Sequence, residues 1–295
     1  MTTIAIIGPG AIGGTVAAWL AQDPALGITV CARSPLNDLR VETPDGTITA
    51  SPEVLTDPAM ARPVDWVMVA TKTYNIASTR LWLDRLVGPD TRLAVIQNGV
   101  EHVELFAHLV PAERIVPVMI NLPAARTAPG RIVQHRHGIM VVPAGRNGDD
   151  FVALFAHTKI SATADADFLS QAWIKLLGNC PAIITALTLR STGPAWTADL
   201  ETIVRGLLGE CAAVARAEGA AIGPEAVERI VAGARTAPAG ASSSMHADRL
   251  AGRPMEIDAR NGVIVRLGAK HGIPTPMNAL LVTLLTASGS PWVAH

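Results

Sequence analysis

Charge of one sign, cysteine, lysine and long apolar runs are all scarce in this chain of 295 residues. Lysine and arginine number 24 against 25 acidic residues, a net charge of −1, and no run of like charge offers a nucleic acid a basic surface, so none is expected as a partner. Cys31, Cys180 and Cys211 are an odd set without metal or redox spacing, which argues against a disulfide scaffold. No stretch reaches the roughly 18 apolar residues that a membrane span needs. The first apolar run ends at once in glycines, and Trp19-Leu20 gives way to Gln22 and Asp23, unlike a signal peptide. A cytoplasmic chain without a membrane partner is the expectation. The only lysines are Lys72, Lys159, Lys175 and Lys270. What is plentiful is apolar residues, 49% of the chain. A chain of this length buries roughly 75% of its unfolded surface, in one large domain or two ordinary ones.

Thr3 to Ile7 is a short continuous apolar run, as expected of a parallel strand covered on both faces. Gly8, Pro9, Gly10, Ala11, Ile12 and Gly13 follow, and then a helical stretch to Ala21. Strand, G-x-G-x-x-G and helix in that order form a dinucleotide fingerprint. Gly8 permits the turn, Gly10 admits a pyrophosphate, Gly13 lets the helix pack near the strand, and the helix N-terminus offers free N–H groups to the phosphates. The second strand, Ile28 to Cys31, leads into Ala32-Arg33-Ser34. An NAD site would place an acidic residue here, and none occurs before Asp38. Arg33 and Ser34 instead suit a 2′-phosphate, so NADP(H) is the expected cofactor.

Val41 to Ile48, centred on Asp45-Gly46, predicts a hairpin. Strands are expected at Trp66–Ala70 and Leu93–Ile96, and they deliver Lys72 and Asn98 to the ligand-binding edge of a parallel sheet. Either side chain suits contact with cofactor or substrate. Ile115–Leu122, Gly130–Gln134 and Gly138–Val142 read as strands extending the same sheet. His135 and His137 lack a third ligand, so no metal is expected. Residues 146–157 read as a polar stretch followed by a short segment.

Beyond Asp165 the periodicity is helical: Ala166–Thr188, Thr197–Glu218, Pro224–Val231, Met255–Lys270 and Pro276–Thr286. The fold expected is therefore α/β, with an N-terminal Rossmann-like dinucleotide-binding domain over 1–164 and a C-terminal all-helical domain over 165–295, a site being expected in the cleft between them. Pro194, Pro224 and Pro254 fall where helices are expected to begin. Lys175 and Asn179 share a helix face, flanked by apolar residues, and serve equally well as an interface or a site. Glu256 is expected to open a helix, with Arg260 as an ordinary intrahelical partner.

These blocks, in order, resemble the ketopantoate reductase (2-dehydropantoate 2-reductase) family over nearly the whole chain. They are GPGAIGG at the N-terminus, TKT around Lys72, QNG around Asn98, WIKLLGN around Lys175 and Asn179, SSM around Ser244, GRPMEID around Glu256, NG at Asn261, and HGIPTPMN. The resemblance implies a Rossmann-like domain, a helical domain, NADP(H), and hydride transfer to a 2-keto acid to give a 2-hydroxy acid, in the family's own case 2-dehydropantoate to pantoate in pantothenate biosynthesis. It implies Lys175 as catalytic lysine with Glu256 as its acidic partner, Asn98 and Ser244 at the substrate or nicotinamide end, Asn179 as a substrate-side amide, and Lys72 at the cleft. Ile183 and Ala241 stand where the family has asparagines, and Ser191-Thr192-Gly193 stands where it has an asparagine-bearing loop, which leaves open which 2-keto acid is the substrate.

The expected chemistry has the Lys175 ammonium stabilise and protonate the carbonyl oxygen, with Glu256 holding Lys175 by a charge-assisted bond. Other dehydrogenase classes fit less well. The sole tyrosine, Tyr74, has Ser78 where a short-chain enzyme needs lysine, and zinc ligands are missing. Lysine-dependent 3-hydroxyisobutyrate-type dehydrogenases are the nearest enzyme alternative. An NADP(H)-binding regulatory or scaffold protein without turnover is the alternative from another class. Monomer and homodimer both remain compatible with the sequence.

Overall fold

A computed structural model describes residues 1–288, so the segment with Pro291 and Trp292 lies outside the described residues. The chain divides into two compact units, one of residues 1–97 and 101–168, the other of residues 98–100 and 169 onward.

In the first unit, β1 (Thr2–Ile7), α1 (Ala11–Leu20) and β2 (Leu26–Cys31) open a parallel sheet. A hairpin of β3 (Leu39–Thr43) and β4 (Gly46–Ala50) follows, turning at Asp45-Gly46, and then β5 (Glu53–Leu55). β6 (Trp66–Val69), α2 (Ile76–Leu86), β7 (Arg92–Val95), α3 (His102–Phe106) and β8 (Ile115–Pro117) complete the sheet, whose order is β5-β2-β1-β6-β7-β8 with every pair parallel. Successive β1 side chains serve opposite cores: Ile4 and Ile6 pack in a cluster with Val16 and Leu20 of α1, and Ala5 and Ile7 in another with Leu83 and Leu86 of α2 and Phe106 of α3. Burial on both faces is the physical reason that the strand is apolar without alternation.

The strands after Val118 do not extend that sheet. Ile115–Leu122 breaks into β8 and β9 (Met119–Asn121), which lie in different sheets. β10 (Ala124–Ala128) and β11 (Arg131–Gln134) join β3 and β4 in a four-stranded sheet, while β12 (Ile139–Pro143) and β13 (Ser161–Asp165) join β9 in a third. α1 packs between the first two sheets, so it is apolar almost all round. Trp19 Nε1 secures it by donating to Gln134 Oε1 at 2.9 Å. Residues expected as polar stretch and short segment form a helix, α4 (Arg146–Leu154).

The second unit holds α5 (Phe168–Asn179, from Leu169 on), α6 (Ala182–Thr188), α7 (Ala198–Ala217), α8 (Pro224–Arg235), α9 (Ser244–Leu250), a π-helical turn (Asp258–Gly262), α10 (Val263–His271) and α11 (Pro276–Ala287). The single helix expected over 166–188 is two. Pro181 supplies no N–H and its ring crowds the carbonyl four residues back, so the helix ends before it. Cys180 N–H donates to Leu177 O and Ile184 N–H to Pro181 O, which leaves the Cys180 carbonyl without its usual helical donor. Asn261 Nδ2 takes that place at 3.2 Å and also donates to Asn278 Oδ1 at 2.9 Å. Asn278 Nδ2 donates in turn to Glu210 Oε2 at 2.7 Å, and Glu210 accepts the Met277 and Asn278 N–H groups at the start of α11. A carboxylate from α7 thus caps α11, complementing its dipole.

Of the three prolines expected at helix starts, Pro224 is the first residue of α8, but α7 begins at Ala198, after Pro194, and Pro254 lies in an irregular stretch. Glu256 consequently lies before the helical turn rather than opening it. Residues 244–250 form a helix that the sequence reading did not include, started by the Ser243 hydroxyl accepting from His246 N–H at 3.1 Å.

Asn278→Leu removes the acceptor for Asn261 Nδ2 and the side-chain donor to Glu210 Oε2, while the backbone donors to Glu210 and the bond to the Cys180 carbonyl remain, and is expected to lower stability by about 1–3 kcal/mol. Thermal unfolding measures it, and an unchanged Tm would show that this network carries no stability.

Candidate active site

In the first unit the chain leaves β1 toward one side of the sheet and β6 toward the other, which makes the crevice beyond their carboxyl ends a topological switch point, where open α/β sheets bind ligands. The glycine turn and Lys72 both lie there. Gly8 has φ +91°, and a Cβ on it would stand 2.8 Å from Thr71 Cγ2. A Cβ on Gly13 would stand 2.3 Å from the Gly8 carbonyl oxygen, so only glycine lets α1 start this close to β1. Gly10 differs: it is the N-cap of α1, and a Cβ there would meet open space. No side chain caps α1 and no acidic residue lies in its first turn, which leaves the first N–H groups of the helix suited to an anion.

Lys72, half-buried, precedes the short 3₁₀ turn Thr73–Asn75. Gln97 donates to the Thr71 carbonyl at 2.9 Å and to its hydroxyl at 3.1 Å, tying the ends of β6 and β7 together. This amide was not singled out in the sequence, though its place after a buried strand was the available signal. Arg33 and Ser34 are exposed beyond β2. Asp38, the first acidic residue after that strand, is held by Arg131 at 2.8 Å. These residues fit a dinucleotide, phosphates on the glycine turn and ribose toward Arg33.

In the second unit Lys175 and Asn179 lie on α5, both half-buried. Burial first, and the Arg260 guanidinium second, hold the Lys175 ammonium below the ordinary lysine range. The expected Lys175–Glu256 bond is not among the described contacts. Glu256, 5% exposed, instead accepts from Asn98 Nδ2 at 2.9 Å. Asn98 belongs with this helical unit although it follows β7 in sequence. Ser244 is exposed at the start of α9 and accepts from Arg260 Nη2 at 2.7 Å.

Arg260, expected as an ordinary intrahelical partner of Glu256, is 3% exposed. Burial lowers its proton affinity, while Glu256 and Asp248 work the other way. It sits in the π turn, whose i→i+5 bond from Val263 N–H to Asp258 O widens the helix and shifts side chains off the regular face. An apolar-periodicity reading cannot find such a turn. Lys175, Arg260, Ser244, Glu256 and Asn98 are thus linked by contact or charge, a set able to bind an anion and donate a proton. Of the departures, Ile183 is fully buried in the helical core and so serves packing. Ala241 is half-buried in the turn after Pro238.

A parallel sheet of Rossmann order with a glycine-rich turn, in one chain with a helical unit carrying a desolvated lysine, defines a class of two-domain dinucleotide-binding oxidoreductases. The family model described as Ketopantoate reductase PanE/ApbA matches residues 4–147, and that for the PanE/ApbA C-terminal domain matches residues 167–288. A 2-dehydropantoate 2-reductase of Caulobacter vibrioides is 53% identical over 98% of this chain and 99% of its own. One from Mycobacterium tuberculosis is 37% identical over 97% of this chain and 98% of its own. Among solved structures, a 2-dehydropantoate 2-reductase from Geobacter metallireducens superposes with a TM-score of 0.89 at 27% identity, covering 97% of this chain and 99% of its own. The chain belongs to the ketopantoate reductase family, and is an oxidoreductase built around a nicotinamide dinucleotide.

Because the folded protein lowers the proton affinity of Lys175, its charged form is less stable folded than unfolded. That penalty is full below the native pKa and fades as pH rises from there toward the unfolded value of 10.5. Lys175→Met is expected to match or exceed the wild-type Tm at pH 7, with its relative advantage shrinking in alkaline buffer, as a thermal-shift series across pH would show.

Proposed function

We propose that this chain reduces 2-dehydropantoate to pantoate with NADPH. The observation that carries the reading is a desolvated lysine beside a buried arginine and an exposed serine, in a chain 53% identical to a 2-dehydropantoate 2-reductase. When bound, the reduced nicotinamide supplies the hydride that adds to the keto carbon. As negative charge grows on the carbonyl oxygen, the Lys175 ammonium stabilises it and gives it a proton; the resulting amine is reprotonated from solvent. Lowered proton affinity makes that transfer easier than from an ordinary lysine. Glu256, engaged by Asn98, supplies negative charge that offsets part of the burial penalty on Arg260. Asn98, Asn179 and Ser244 offer polar groups to substrate, and Asn98 and Lys72 to the nicotinamide end. Gly8 to Gly13 take the pyrophosphate and Arg33 the 2′-phosphate. A regulatory dinucleotide-binding protein would need the glycine turn and Arg33 but has no use for a desolvated proton donor.

The test is NADPH oxidation with 2-dehydropantoate, set against pyruvate-like and bulky apolar 2-keto acids. Binding of NADPH with no turnover across that panel would favour the regulatory alternative. Lys175→Ala is expected to reduce kcat by about 100-fold or more while NADPH affinity stays within a few-fold; wild-type turnover would refute the assignment. Arg33→Ala is expected to raise KM for NADPH by about 10-fold or more with little change for NADH. Equal effects on both cofactors would remove Arg33 from the 2′-phosphate site.

A further inference from the structure

Arg260 is a buried cation for which the steps above have no task. Its Nη2 reaches Ser244 Oγ at 2.7 Å, and its Nε is buried without a hydrogen-bond partner. The two carboxylates whose charge it feels are engaged elsewhere, Glu256 by Asn98 and Asp248 by Arg253 at 2.9 Å, and no ion pair of Arg260 occurs among the described residues. A guanidinium this deep without an ion-paired carboxylate is costly. Holding a serine hydroxyl would need only a neutral donor, so that bond does not account for the charge. A second cation, Lys175, lies near enough for Arg260 to disfavour its charge. Two cations kept close together, one deep and ending on an exposed serine, are balanced when an anion arrives. A 2-keto acid brings a carboxylate directly bonded to the carbon that is reduced, so a cation for the carboxylate must stand close to the proton donor for the carbonyl oxygen. A planar fork suits the carboxylate, as a compact ammonium suits the oxygen.

We propose that Arg260 is the specificity-determining residue for the acid group: its guanidinium, with the Ser244 hydroxyl, receives the C1 carboxylate and selects 2-keto acids over neutral ketones. The assignment rests on the reductase reading above. The π turn is what makes it available, since the widened turn carries Arg260 off the regular helix face while Asn261 stays anchored on Cys180.

The experiment compares a charged ligand with its neutral counterpart. Calorimetric titration of the enzyme with pantoate and with its primary amide, in the presence of NADP+, is expected to show about 100-fold preference for the acid in the wild type. In Arg260→Gln that preference collapses to a few-fold through weaker acid binding, amide affinity and NADPH affinity being held. Arg260→Lys retains the charge without the fork and is expected to keep part of the preference, which covers the case in which the glutamine variant does not fold. Acid and amide weakened equally in both variants, or acid binding unchanged, would overturn the proposal, as would a wild type that binds neither or does not prefer the acid. A wild type that prefers pantoate through Arg260 yet reduces no 2-keto acid would sink the activity reading and leave the assignment standing.

Discussion

The helical unit depends on one hydrogen bond, from the Asn261 side chain to the Cys180 carbonyl. Pro181 ends α5 and strips that carbonyl of its helical donor, in a place where water cannot replace it: Cys180 and Asn261 are both fully buried. The amide that replaces the donor must come from a fixed point on another element. Asn278 and Glu210 fix it, and both are tied to the start of α11. A break in one helix thereby sets the position of a π turn far along the chain. The residues of that turn and its approach, Glu256 and Arg260, are held against Asn98 and Ser244 as a consequence. Lys175 is on the helix that Pro181 ends, so it and the groups around it share one mechanical support.

The dinucleotide half is organised by different physics. There the constraint is closeness of backbone to backbone: α1 must begin almost in contact with β1, and the Gly13 position admits no side chain beside the Gly8 carbonyl. Close approach leaves the first N–H groups of α1 unshielded at a strand-order reversal, and the anion site follows without any charged side chain. The Gln97 amide holds the neighbouring strand ends together. Asp38, the first acidic residue after β2, is paired with Arg131, which on the proposed reading leaves Arg33 to the 2′-phosphate.

Much of this was legible in the sequence because it is local. A continuous apolar run, three spaced glycines and a helix can be read from one stretch, as can the Asp45-Gly46 hairpin and the apolar stripes of α7 and α11. The order of short motifs around Lys175, Ser244 and Glu256 pointed to the family. What escaped is non-local. The apolar stripe runs through Pro181 without interruption, and periodicity cannot tell that the carbonyl before it will need a donor from residue 261. The strands after Val118 have the right composition, but pairing partners are chosen by the crossover to β3, not by the strands themselves. Ser244 was visible as a motif, while its helix depended on the Ser243 cap. Arg260 looked like half of an i,i+4 pair, because that spacing is surface-like only in a regular α-helix.

The charge arrangement explains why such irregular backbone is retained. A regular helix from Pro254 onward would have placed Glu256 and Arg260 on one face as mutual partners, silencing both. The irregular approach and π turn separate them: Glu256 accepts from Asn98, and Arg260 reaches Ser244. Arg260, its charge offset in part by Glu256 and Asp248, still lowers the proton affinity of Lys175. On the proposed reading an arriving carboxylate would pair with Arg260, while burial, the larger cause, would still hold the proton affinity of Lys175 low enough to ease transfer to the carbonyl oxygen. Both roles would then depend on the helix not being regular where Arg260 stands.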